Sequence, residues 1–175
     1  MMGKINLFLI RTFVTPFYKS TNKQVIFVGS ILRNILIFFF KCDISPSADI
    51  PYSTRFPHYY GISIAACKIG ENCLIRQNTT IGGKFSFSLK DNKKRWTIPL
   101  EERRKLNPVV GSNVDIGAHT CILGHIKIGD YAVIGAGSVV LEDIEPYGVY
   151  AGVPAKKIKV LPRVSGSEHF RFNTD

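Results

Sequence analysis

Acidic residues are missing from the first 42 positions of this 175-residue chain, a stretch that carries Lys4, Arg11, Lys19, Lys23, Arg33 and Lys41. The four cysteines, Cys42, Cys67, Cys73 and Cys121, lack CxxC spacing and any dense pattern. Reduced thiols in a cytosolic protein fit that usage better than a disulfide framework. Residues 1–14 hold a short apolar run, but Arg11 interrupts it and no small-residue cleavage site follows, so a secretory signal is not expected. A long disordered tract is excluded by a composition of 45% hydrophobic and 21% charged residues. No apolar run is long enough for a comfortable membrane span. The most apolar stretch, 25–40, makes a helix of about 24 Å at 1.5 Å per residue, against a hydrocarbon core of roughly 30 Å. Arg33 and Asn34 also sit near its middle. Two readings stand: a helix packed on the body of an oligomer, or a monotopic helix with basic flanks resting on an anionic inner leaflet.

The net charge is +10, which raises nucleic acid, acidic lipid and anionic cofactors as partners. No nucleic-acid recognition motif accompanies that charge, so nucleic acid is not expected.

A six-residue beat dominates the rest. From Val110 an aliphatic residue recurs at every sixth position: Val110, Ile116, Ile122, Ile128, Ile134 and Val140. Four positions after each comes a second inward candidate, usually small: Val114, Thr120, Ile126, Ala132, Ser138 and Ile144. The same beat runs earlier through Ile44, Ile50, Phe56 and Ile62, then shifts by one and resumes at Ile69, Ile75 and Ile81. An α-helix repeats at 3.6 and a lone strand at 2, so neither produces six. A triangular prism does: each unit is a short strand plus a turn, and three units make a coil. Coils about 4.8 Å apart stack the aliphatic residues in columns, with glycine and asparagine easing the corners.

Between Ile81 and Val110 the beat stops. Residues 84–108 interleave Phe85, Phe87 and Trp96 with Lys93, Lys94, Arg95, Arg103, Arg104 and Lys105, which reads as an extruded loop that packs on something. The expected organisation is a helical, basic and apolar segment 1–42, a β-helix over 43–155 with the loop 84–108, and a tail 156–175. The Gly152-Val-Pro-Ala155 turn is expected to end the coils.

The beat, with Ile134-Gly-Ala-Gly-Ser-Val-Val140 and Ala151-Gly-Val-Pro-Ala-Lys-Lys157, resembles the hexapeptide-repeat acyltransferases over about residues 40–160. The serine acetyltransferase-like branch is the most similar. Asp43-Ile-Ser-Pro-Ser-Ala48 resembles its opening coil, Phe56-Pro-His-Tyr-Tyr-Gly-Ile62 its catalytic-histidine segment, and Ile75-Arg-Gln-Asn-Thr-Thr-Ile-Gly-Gly83 the coil that follows. The resemblance implies a mainly β chain with a left-handed parallel β-helix. It further implies a homotrimer that binds acetyl-CoA between neighbouring prisms, with no metal.

By the same resemblance His58 is the general base and Asp43 the carboxylate that orients it. Fifteen residues is just under one eighteen-residue coil, so the two can lie on adjacent coils near one edge. A hydroxyl attacking a thioester needs a base active near neutral pH, which histidine supplies. On residues alone, His58 reads first as an edge residue packed beside Tyr59 and Tyr60, and Asp43 also reads as a turn residue. The resemblance further implies that Gly82, Gly83, Ala118 and Ala136 line the pantetheine arm. Lys84, Lys156 and Lys157 are then the candidates for the CoA phosphates, or else solvated surface charges. His119 and His125 read as corner residues.

The chain departs from the branch in its acceptor residues. Pro57 stands where an acid would precede the histidine, and Leu106-Asn107 stand where a basic pair would precede Pro108. A site without those charges is expected to bind zwitterionic serine poorly. The short basic N-terminus resembles the surface-polysaccharide (colanic acid type) acetyltransferases. The first expectation is therefore O-acetylation of a sugar hydroxyl, in the cytoplasm or peripheral on the inner membrane face; the second is serine O-acetylation. A zinc carbonic anhydrase needs three converging histidines, and His58, His119 and His125 lack that spacing. A non-catalytic scaffold is disfavoured by the Asp43 and His58 pair.

Overall fold

The computed structural model describes residues 22–83 and 104–162, together with residues 16, 20 and 102. The chain first forms helix α1, Lys23–Phe40. Asn22 caps its N-terminus by accepting the Gln24 N–H at 2.9 Å. Lys41 closes its C-terminus in the left-handed region, with φ of 50° and its N–H on the Ile37 carbonyl. Gly29, the one buried residue of the helix, lies on the same stripe as Leu32, Leu36 and Phe40, which pack against the core. The i, i+3 and i+4 spacing of this stripe fixes which side meets the body. Phe27, Ile31, Ile35, Phe38 and Phe39 remain exposed.

Thirteen short strands follow among the described residues. They are β1 (Asp43–Ile44), β2 (Ser63–Ile64), β3 (Lys68–Ile69), β4 (Leu74–Ile75), β5 (Thr80–Gly82), β6 (Val109–Val110) and β7 (Asp115–Ile116). Then come β8 (Cys121–Leu123), β9 (Lys127–Ile128), β10 (Val133–Ile134), β11 (Val139–Val140), β12 (Gly148–Ala151) and β13 (Lys156–Val160). Three sheets make the faces of a prism: β1-β2-β5-β8-β11 (the first face), β3-β6-β9 (the second) and β13-β12-β10-β7-β4 (the third). Every pairing is parallel except β12 with β13. This is the prism expected from the beat and the left-handed parallel β-helix that the resemblance implies.

Each face contributes one buried column. Ile44, Ile64, Ile81, Ile122 and Val140 stand in register on the first face. Ile69, Val110 and Ile128 stand on the second, and Ile75, Ile116 and Ile134 on the third. All of these side chains are buried, and so are the six second-position residues from Val114 to Ile144. The polar members are satisfied locally: the Thr120 hydroxyl donates to the Gly117 carbonyl at 2.8 Å and the Ser138 hydroxyl to Gly135 at 2.6 Å.

The structure differs from the sequence reading at two places. Ile62 is buried, but the strand residue in register with Ile44 is Ile64. The apparent shift by one is a two-residue lengthening after Phe56 followed by a one-residue shortening before Ile69. The extra residues form the turn that carries His58. At the other end, the Gly152–Ala155 turn, with its cis Val153-Pro154 bond, reverses the chain. It does not end the sheet, because Lys156–Val160 returns as antiparallel β13. The coils stop because β13, not another parallel strand, takes the outer edge of β12. The loop residues 84–101 and 103, and the tail from 163, lie outside the described residues.

Candidate active site

The lengthened turn places His58 at the corner between the third and first faces, with its side chain exposed. The turn is tied down on both sides: the Gly61 N–H donates to the Lys41 carbonyl at 2.7 Å, and the Asn78 N–H to the Tyr60 carbonyl at 3.1 Å. Gly61 is required there. Its φ is +70°, and a Cβ would lie 1.9 Å from Asn78 Oδ1. The His58 and Tyr60 rings are 6.4 Å apart, tilted by 50°.

Asp43 opens β1 at that same corner, in register with Ser63. It faces a pocket of about 460 Å³ on the outside of the first face. Arg33, Asp43, Ser63 and Thr80 stand toward the His58 corner, while Ser45, Gly82, Gly83, Leu106 and Asn107 lie toward the far end. The carboxylate expected to orient His58 is instead paired with the Arg33 guanidinium. No hydrogen bond joins Asp43 to His58 in the structure, because α1 lays Arg33 directly over β1. In the sequence Arg33 stands out as one cation of the acid-free segment and as an interruption of its apolar run. That interruption was the available signal for its role.

The residues assigned to acetyl-CoA fall in three places. Gly82 and Gly83 line the first-face pocket. A Cβ on Gly83 would lie 2.9 Å from the Leu106 carbonyl oxygen, so this glycine first serves the return of the loop. At Gly82 a Cβ would meet only Ala65 at 3.6 Å, an ordinary contact. Ala118 and Ala136 stack on the His58 corner, where the Gly137 N–H donates to the Ala118 carbonyl at 2.8 Å. Lys156 and Lys157 are exposed on β13. Lys157 is held by Glu145 at 2.7 Å; that hydrogen bond raises the lysine's pKa and lowers the glutamate's. Lys84 lies outside the described residues. His119 is a corner residue, with φ of 59°, and its ring approaches Asn78 Nδ2 at 3.4 Å. His125 is exposed on a different corner, between β8 and β9.

Leu106 and Asn107, the two uncharged residues before Pro108, line the far end of the pocket. Asn107 is buried and donates from Nδ2 to the Ala66 carbonyl at 3.2 Å. It anchors the returning loop to the prism.

Residues 107–142 match the bacterial transferase hexapeptide family model, which comprises six repeats. The chain is a hexapeptide-repeat protein. Its relatives are serine acetyltransferases. The one from Staphylococcus aureus (strain N315) is 32% identical over 143 residues, covering 81% of this chain and 60% of the relative. The one from Haemophilus influenzae is 37% identical over 126 residues, covering 71% and 42%. Soybean serine acetyltransferase complexed with serine superposes on this hexapeptide-repeat protein with a TM-score of 0.72. The two are 29% identical, over 89% of this chain and 57% of the soybean chain. The chain thus spans about half the length of the relatives it matches.

Proposed function

We propose that this hexapeptide-repeat protein is an O-acetyltransferase that moves the acetyl group of acetyl-CoA onto a hydroxyl, with His58 as general base. His58 accepts the hydroxyl proton while the hydroxyl oxygen bonds to the thioester carbonyl carbon, and it returns the proton to the departing thiolate. Asp43, once turned from Arg33, orients the imidazole and stabilises the imidazolium. The observation that carries this reading is the His58 turn: a lengthened coil corner carries an exposed histidine beside the Asp43 end of the pocket, in a fold whose relatives include serine acetyltransferases.

L-serine is the acceptor the comparisons favour. It is the second expectation from the sequence, and the serine acetyltransferase relatives move it ahead of the sugar hydroxyl. The sugar keeps one observation in its favour: Pro57 and the Leu106-Asn107 pair leave those positions without charge.

The proposal includes a homotrimer in the cytoplasm. Gly82 and Gly83 lie on one prism corner and Ala118 and Ala136 on another, so a single acetyl-CoA meets both sets only where two prisms adjoin. The exposed apolar side of α1 suits contact with an inner membrane face. The test is acetyl-CoA turnover against L-serine, nucleotide sugars and oligosaccharides under one set of conditions. A kcat/KM for L-serine above that for every saccharide supports the serine reading, and the reverse order overturns it.

A further inference from the structure

We propose that Arg33 recognises a carboxylate on the acceptor, taking the role that Leu106 and Asn107 cannot fill. This rests on the acyl-transfer reading and names the acceptor's chemistry. Arg33 is the one cation among the described residues that line the first-face pocket. Paired with Asp43, it stands at the end next to the His58 corner, with Ser63 and Thr80. Its position is set by the packing of α1, since Leu32 and Leu36 on either side hold that face of the helix against the prism.

The guanidinium is underused. It donates from Nη2 to Asp43, while its Nε is buried with no hydrogen-bond partner. An arginine carries five N–H donors in a planar fork that matches a carboxylate. A buried donor without an acceptor is unfavourable, so a small shift that lets an acceptor carboxylate engage the fork is driven by satisfying it. Such an exchange also loosens the hold on Asp43, which couples acceptor binding to release of the carboxylate that orients His58. Asn107, at the far end of the pocket, offers no substitute, because it is neutral and donates to the Ala66 carbonyl.

Paired acceptors with and without a carboxylate test this: L-serine against L-serinamide, and D-glucuronate against D-glucose, with wild type, Arg33→Gln and Arg33→Lys followed by thiol release from acetyl-CoA. Wild type is expected to favour L-serine over L-serinamide. Arg33→Gln should raise KM for L-serine by roughly tenfold to a hundredfold, the range for a charge-assisted hydrogen bond. Its kcat should change less and its KM for L-serinamide should not change, and Arg33→Lys should recover part of the loss on L-serine.

Equal losses on L-serine and L-serinamide would overturn the proposal and leave Arg33 as a support for Asp43. Wild-type turnover of both serine compounds at the same rate would also overturn it, while leaving the serine reading intact. Turnover of D-glucuronate with the same Arg33 dependence, and none of L-serine, would uphold the proposal and defeat the serine reading. Turnover of D-glucose alone would defeat both. If Arg33→Gln fails to fold by thermal melting, the wild-type pairs still decide.

Discussion

Replacing Ile116 by alanine tests the prism at its centre. Ile116 is fully buried and sits in register between Ile75 and Ile134 on the third face. The substitution removes three methylene-scale groups at about 0.8 kcal/mol each, a loss of roughly 2.4 kcal/mol before any cavity cost. The backbone on both sides is held by parallel ladder bonds, including Arg76 N–H to the Ile116 carbonyl and Gly117 N–H to the Ile134 carbonyl. The coils therefore cannot close on the void, and the total should reach about 3–5 kcal/mol. Leu141, next to the buried Val140 but 40% exposed, is the control, and Leu141→Ala should cost under about 1 kcal/mol. Urea titration at matched protein concentration reads both. Ile116→Ala should lower the midpoint with an unchanged m-value. If Ile116→Ala proved no worse than Leu141→Ala, the inward reading of the six-residue beat would be wrong.

Burial pushes the Cys67 thiol up to about 12 and the Cys73 thiol up to about 11. Between about pH 9 and these values the unfolded chain binds fewer protons than the folded one. Stability should then fall as pH rises, by about 1.4 kcal/mol per pH unit for each cysteine; Cys67→Ala should flatten that slope between pH 9 and 10.5 in urea titrations, and an unchanged slope would contradict the assignment. Gly117→Ala should destabilise by about 1–3 kcal/mol, because the new Cβ would lie 2.5 Å from the Ala136 backbone nitrogen. Gly137→Ala meets nothing within 4 Å and should lose only about 1–2 kcal/mol for its φ of +70°, so a reversed order in thermal melts would refute the stacking of these corners.

Much of this architecture was legible because a prism writes its period into the chain. Each inward position from Val110 to Val140 is buried, since every coil there is regular and one residue type satisfies one environment. The reading slipped at Ile62 because the corner residue and the strand residue, Ile64, are both apolar; only the pairing of Asp43 with Ser63 separates them. The closing turn was legible as a turn from Pro154, yet the return of β13 was not, because Lys156–Val160 is exposed throughout and carries no burial pattern. At the site, the segments around His58 and Asp43 single those residues out, and the structure sets both at one corner. Arg33 was not assigned to Asp43, since that contact depends on how α1 crosses β1, and helical periodicity says nothing about which strand a charged residue will overlie. The corners also went beyond glycine and asparagine. Tyr131 and Tyr147 adopt φ of 60° and 62°, and their rings stack at 4.9 Å, which helps to hold a conformation that side chains usually avoid.

The measurement that tests the central claim most directly is thiol release from acetyl-CoA with L-serine by wild type and by His58→Ala. His58 is exposed, so the variant should melt as wild type does, while its rate falls by at least about a hundredfold, the usual scale for loss of a general base. A folded His58→Ala protein with near-wild-type turnover would contradict the assignment of this corner as the catalytic site.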